Sequence, residues 1–430
     1  MSGSEATLER AIDEQDEAPG YGRGARILSI GIATTGLFTF AYFSVASHVL
    51  DAESAKRIDL LWSVMFVVIS VIYRPIEQLL SRTIAQSRAV GSTHELRTPL
   101  LLQAAFAATF LVVALIFRDP IQNDVFDGSA TLYWVLVTGI LFYAASYFAR
   151  GWLAGHQWFG LYGGLVLFES LSRFFFPVAV AVGAVDGGES FVALGIAAAP
   201  FMSLLVVPWA LRRHVVTGMP AERARGEAAG FALAVAGIML AEQTLLNAPV
   251  LTVDATAADA ALAGIVFNVL LIARAPLQLF QSVQTSLLPH LAGLEATEGH
   301  AAFSRAIRVT VLAIAAFAGA VALGLLAIGP FVMSHLFGQD FDYGRVGLAL
   351  VGIGMGLHLV AGTLNQAALA RGQAGRAGAA WLGVAAVFVV WTLVPVVDDE
   401  LLRVELGYAL ATGVLSGALL LVYRRGAAGR

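Results

Sequence analysis

The sequence predicts an all-helical polytopic membrane protein. About twelve transmembrane helices are expected, in two pseudo-symmetric six-helix bundles around a central cavity. Three observations carry this. First, 58% of the 430 residues are hydrophobic and only 13% are charged, with a mean hydropathy of +0.78; soluble domains run near 45–50% apolar and about 25% charged. Second, the apolar residues fall into runs of about 20, the length that spans hydrocarbon as a helix. Third, the basic residues alternate between the loops in the way that a fixed membrane orientation demands. A soluble enzyme, a nucleic-acid binder and a disordered chain are excluded.

The chain opens with an acidic stretch (Glu5, Glu9, Asp13, Glu14, Asp16, Glu17) that has no apolar core. It reads as a solvated disordered tail over 1–24, not as a signal peptide. Spans are then expected at 27–50, 58–80, 98–117, 129–149, 159–183 and 191–211. Each is low in charge and bounded by polar or turn-forming residues, such as DAESAKR after the first and DGGES before the sixth. The basic loop LRRHVVTGMPAERARGE follows, with Gly218 and Pro220, and 212–228 reads as a cytoplasmic linker. The second half repeats the pattern at 229–253, 260–284, 309–335, 346–370, 377–397 and 404–423. The two bundles are thus 25–211 and 229–424, and 425–430 is a short tail.

Placing every Lys and Arg on this scheme puts 18 on the side of the two tails and 5 on the other, with Arg74, Arg173 and Arg274 inside spans. Positive charge is retained on the cytoplasmic side. Both termini are therefore expected in the cytoplasm, in the inner or cytoplasmic cell membrane.

The halves echo each other. The second span carries Arg74-Pro75-Ile76-Glu77-Gln78 and the eighth carries Arg274-Ala275-Pro276-Leu277-Gln278. Facing internal repeats are the build of many transporters. Proline removes a backbone hydrogen bond, so each of these helices should kink.

Charges inside a bilayer are costly and are kept where they face protein or water. Arg74 and Arg274 have two readings. One is a cationic patch contributed by both halves, since guanidinium offers a planar fork suited to phosphate; the other is bonding to backbone carbonyls or snorkelling. Glu77, three residues after Arg74, reads as its neutralising partner. Glu169 and Arg173 stand at i and i+4 in the order that favours a helix ion pair, so self-neutralisation is expected. Glu242 has no basic neighbour in sequence. It is a candidate proton or sodium site, or a residue paired to a group such as Arg274. Gln243 and Asn247 follow one turn apart. His358 reads as a packed residue.

The chain has no cysteine and Lys56 is its single lysine. No phosphate-binding loop and no HExxH spacing occur. No catalytic residue, metal or cofactor is expected, and the loops are too short to hold an enzyme site.

Several stretches in order resemble a known family. They are GIATTGLFTFAYFSVASHVL, RPIEQLLSRTIAQSRAVG, ARGWLAGHQWFGLY, LAEQTLLNAPVLTV, LFGQDFDYG and LNQAALARGQAGRAGAAW. Together they resemble the polysaccharide flippases of the multidrug/oligosaccharidyl-lipid/polysaccharide exporter superfamily. The resemblance implies two bundles opening alternately to each side. It implies a polyprenyl-diphosphate-linked saccharide as cargo for cell-surface polysaccharide synthesis, with glycosyltransferases and a polymerase as working partners beside the membrane lipids. No nucleic acid is expected, and the protein should act as a monomer. On that reading Arg74 and Arg274 hold the diphosphate, while Gln78, Gln278, Gln243 and Asn247 bond sugar hydroxyls. The alternative is an ion-coupled multidrug or cation exporter of the same superfamily, kept open by Glu242.

Overall fold

The computed structural model describes residues 21–89, 96–211, 225–256, 300–337 and 343–428, with short stretches between 265 and 292. Helices are α1 (Tyr21–Val49), α2 (Ala52–Ile72), α3 (Arg74–Ala89), α4 (Arg97–Ile116), α5 (Ala130–Gly155), α6 (Phe159–Ala181) and α7 (Glu189–Ser203). A second group follows: α8 (Arg225–Thr256), α9 (His300–Phe337), α10 (Arg345–Ala370), α11 (Ala374–Leu393) and α12 (Glu400–Ala428).

Among the described residues, ten helices are long and apolar enough to cross a membrane. Two of the expected spans fall outside those ten. The span expected at 260–284 lies mostly outside the described residues, and so do Arg274 and Gln278. The span expected at 58–80 is broken. It is α2, whose first two turns carry Glu53, Lys56, Arg57 and Asp59, followed by a separate helix α3. The break comes at Tyr73, directly before Arg74-Pro75. Proline tolerates the first turn of a helix and opposes its continuation from before. The kink expected from Pro75 is thus a change of helix.

Local signals fix the other ends. Asp51 caps α2, accepting from the Ser54 backbone N–H at 2.9 Å and from the Ser54 hydroxyl at 2.8 Å. Those bonds hold its carboxyl below the usual carboxylate range. Ser129 caps α5 by accepting from the Leu132 N–H. Near the same end, Arg57 grips Glu189 with two bonds, Nε to Oε1 at 2.6 Å and Nη2 to Oε2 at 3.2 Å, tying α2 to α7.

Packing follows small residues. Gly31 of α1 lies so close to Gly163 of α6 that an added Cβ would stand 3.0 Å from the Gly163 Cα. Gly151 and Gly155 of α5 meet α3 in the same way, at Glu77 and Ile84. Such close backbone approach is how helices associate where hydrocarbon, not water, surrounds them. The outer faces are apolar: Leu312, Leu323, Ile328 and Phe331 on α9 and Val112 and Ile116 on α4 are exposed. In water this surface would be untenable, whereas lipid covers it.

The buried core of the second group does not stop at its own helices. It takes in Leu79 and Ala85 of α3. That seam continues outward through Arg82, whose guanidinium lies 5.0 Å from the Phe231 ring of α8, and Gln86, which reaches the Ala370 carbonyl at 3.5 Å. The two groups therefore meet along α3.

Candidate functional site

Above that seam lies a cavity of about 400 Å³, within the range of small-molecule pockets. Six of these helices and Leu277 line it: Thr35 and Thr39 come from α1, Trp62 and Phe66 from α2, and Arg74 and Glu77 from α3. Helix α5 adds Tyr143, Tyr147 and Arg150; α6 adds Tyr162, Val166, Glu169 and Arg173; α8 adds Glu242, Gln243 and Asn247.

The break before Arg74 explains how α3 delivers its charges. Arg74 and Glu77 are three residues apart and share a face, which turns to the cavity. Gln78 is rotated about 100° from Glu77. It is buried and is not among the cavity's lining residues, so the expected pairing of Gln78 with a cargo hydroxyl is not supported by its position.

The charges do not pair as their spacing suggests. Glu169 is gripped from α5. Its carboxylate accepts from Tyr143 Oη at 2.9 Å, from Ser146 Oγ at 3.2 Å and from Arg150 Nη2. Arg173, four residues on, forms no ion pair with a described carboxylate. It donates from Nη2 to Thr39 Oγ1 at 2.8 Å and lies over Trp62, 4.0 Å from the ring centre. The expected Glu169–Arg173 pair is thus replaced by a Glu169–Arg150 pair, because three donors of α5 converge on one carboxylate. Nor does Glu77 neutralise Arg74. It accepts from Tyr162 Oη at 2.7 Å, and Arg74 makes no hydrogen bond or ion pair with another described residue.

Glu242 is buried at the boundary between the two groups of helices. Its Oε1 lies 3.9 Å from His358 Nε2. The His358 ring is packed against Trp381, with Nδ1 3.0 Å from Tyr408 Oη. One turn beyond Glu242, Asn247 Nδ2 donates to the Gln243 side chain at 3.3 Å and to its carbonyl at 2.8 Å. Arg74, Glu77, Glu169, Arg173, Glu242, Gln243 and Asn247 therefore share one cavity. Arg150 and the tyrosines were not legible as site residues. The span expected at 129–149 stops one residue short of Arg150, while α5 runs on to Gly155.

Among the described residues no group of three or more His, Asp or Glu side chains is arranged to hold a metal. No family model matches the sequence, and no curated protein matches it. Solved structures do. An outward-facing multidrug resistance MATE family transporter of the MOP superfamily aligns with a TM-score of 0.77, covering 96% of this chain and 97% of that one. The fold is that of the MATE transporters. Among the described residues one lobe holds α1–α7, with the broken second span, and the other holds α8–α12. Sequence identity in that alignment is 13%, so the likeness is one of fold. A MATE transporter of Vibrio cholerae, VcmN, in a bent form aligns at a TM-score of 0.73 and 14% identity, covering 95% of this chain and 96% of that one. A MOP superfamily transporter from Pyrococcus furiosus aligns at 0.75 and 14%, covering 95% of each. It is described as having a binding pocket of reverse polarity that suggests a different function.

Proposed function

We propose that this protein is a secondary exporter of amphipathic organic solutes, working by alternating access of its two lobes. The observation that carries this is the cavity where both lobes meet, walled by Trp62, Phe66, Tyr143, Val166 and Leu277 and studded with charge. Aromatic walls with a few convergent polar groups suit a drug-sized amphiphile. The reading also follows the fold, since a multidrug resistance transporter aligns over nearly the whole chain. The arginine distribution puts both termini in the cytoplasm. On that orientation the α3 seam lies toward the cytoplasmic side of the cavity.

Glu242 is the coupling residue in this scheme. A carboxylate buried between lobes, with His358 Nε2 at 3.9 Å and no bonded arginine among the described residues, changes its cost with protonation or cation binding. That cost can favour one arrangement of the lobes over the other.

Export of a lipid-linked saccharide is the second reading. What favours it is Arg74, which makes no hydrogen bond or ion pair with another described residue and lines the cavity together with Gln243 and Asn247, a set that suits a diphosphate and sugar hydroxyls.

Purified protein in proteoliposomes separates the two. With a proton or sodium gradient imposed, a fluorescent amphiphile should be extruded, and Glu242→Gln should abolish the gradient dependence while leaving the fold intact. Translocation of a lipid-linked oligosaccharide, with no amphiphile moved, would overturn the first reading in favour of the second. In that case Arg74→Lys and Arg274→Lys should each impair flipping, because lysine keeps the charge and loses the bidentate fork.

A further inference from the structure

We propose that the cavity contains an oxyanion subsite built on Arg173, which takes the acidic group of the cargo. The proposal rests on the reading of this cavity as the cargo site, and it adds the charge class of that cargo.

Arg173 is only 2% exposed. A guanidinium has five N–H donors in one plane. Here Nη2 is used by Thr39, while Nε and Nη1 are buried without a hydrogen-bond partner. The Trp62 ring at 4.0 Å and the Tyr42 ring at 5.7 Å stabilise the positive charge through their faces. Ring faces do not fill the in-plane fork. Buried donors left empty are costly and uncommon.

The fold has a ready means of filling them and does not use it. Glu169 stands one turn away on the same helix, at the spacing that pairs well. Its oxygens are instead engaged by Tyr143, Ser146 and Arg150. Arg74 lines the same cavity and makes no ion pair among the described residues. The lining as a whole is formally balanced, with Arg74, Arg150 and Arg173 against Glu77, Glu169 and Glu242, so the acidic selectivity is local to the Arg173 fork, which no described carboxylate fills.

The fork geometry fits a carboxylate, sulfonate or phosphate oxygen pair. Phe66 and Val166, in the same cavity lining as Arg173, suit an apolar body attached to that group. Two sources share this chemistry: a soluble aromatic acid and the diphosphate of an isoprenoid lipid. Trp62 stacks on the face of the guanidinium, so its indole fluorescence should report an oxyanion that enters the fork and compensates the cation.

The test is equilibrium binding to the full-length protein in detergent, which needs no transport. Naphthalene-2-sulfonate and farnesyl diphosphate are titrated separately, by calorimetry and by tryptophan fluorescence. At least one should bind, and whichever binds identifies the source. Arg173→Gln should weaken that binding about ten- to a hundred-fold, the worth of a charge-assisted bond. Arg173→Lys should recover only part. The fluorescence change should vanish in Trp62→Phe while calorimetric binding persists. Naphthalene-2-sulfonamide, the same ring system without the charge, should bind wild type at least about tenfold more weakly than the sulfonate. That comparison stands even where a variant does not fold. Binding of neither anion, equal binding of sulfonate and sulfonamide, or unchanged affinity in folded Arg173→Gln would overturn the subsite. Extrusion of a neutral or cationic amphiphile with no anion binding would do so while leaving the exporter reading in place.

Discussion

Glu169 and Arg173 sit one turn apart on α6 and live in opposite circumstances. Glu169 accepts from three side chains of α5, one of them the buried Arg150. Glu169→Gln keeps the shape and removes the charge, leaving the Arg150 cation buried and uncompensated. Breaking a buried pair in this way costs about 3–5 kcal/mol, so the unfolding temperature in detergent should fall clearly. Arg173→Gln removes a cation that has no carboxylate to abandon. It should be near neutral or stabilising in the same measurement. Equal losses at the two positions would mean that Arg173 shares Glu169 after all. The sequence shows why this was hard to see. Spacing of four tells which residues share a helix face, and it says nothing of what a neighbouring helix brings to that face. The decisive residue, Arg150, stood one position beyond the end of the expected span.

At the level of elements, the break before Arg74-Pro75 and the glycines of α5 act together. The break lets α3 leave the line of α2. Gly151 and Gly155 then let α3 come against α5 with nothing between the backbones. A Cβ at Gly151 would stand 2.9 Å from the Cα and the carbonyl oxygen of Glu77, and one at Gly155 would stand 2.6 Å from the Ile84 Cβ. Backbone cannot swing aside as a side-chain tip can. Gly151→Ala should therefore cost about 1–3 kcal/mol, the usual toll of overpacking, and Gly151→Val more. Because Glu77 is the residue pushed, ligand binding should weaken along with stability. Gly164→Ala, on α6 with its nearest contact at 4.0 Å, is the control and should be silent. A thermal shift series on the three variants checks this. Pro75 announced the break, since its chemistry is local. The glycine pair read as part of a loop, because nothing in one sequence marks the partner that a glycine face awaits.

At the scale of the whole molecule, composition, run length and arginine asymmetry were enough for a two-lobed helical membrane protein, because hydrocarbon imposes those features on any chain that crosses it. Cargo is a different matter, since one fold serves several functions through the side chains of its cavity. What the two lobes must do, on any of these readings, is part along the α3 seam. Arg82 lies over Phe231, and the site of a Cβ on Gly372 is 3.2 Å from Arg82 Nη2. Gln86 reaches the Ala370 carbonyl. Leu79 and Ala85 add apolar packing to the same seam. The contacts of Arg82 and Gln86 are cation–π and polar in kind, which water can replace as a surface opens and recloses. The protein contains no cysteine, so thiols introduced there report without background. Gln86→Cys combined with Ala370→Cys places one thiol on each lobe across the seam. A short, reductively cleavable bismaleimide linker should join them and hold the lobes together at this end. Transport in proteoliposomes should then fall to background and return when the linker is cleaved, while each single variant stays active. Binding from the cavity side should survive in the linked protein, since the cavity lies beyond the seam. If the linked protein transports at the unlinked rate, the seam does not open during the cycle, and rocking of the two lobes about α3 is not how this protein moves its cargo.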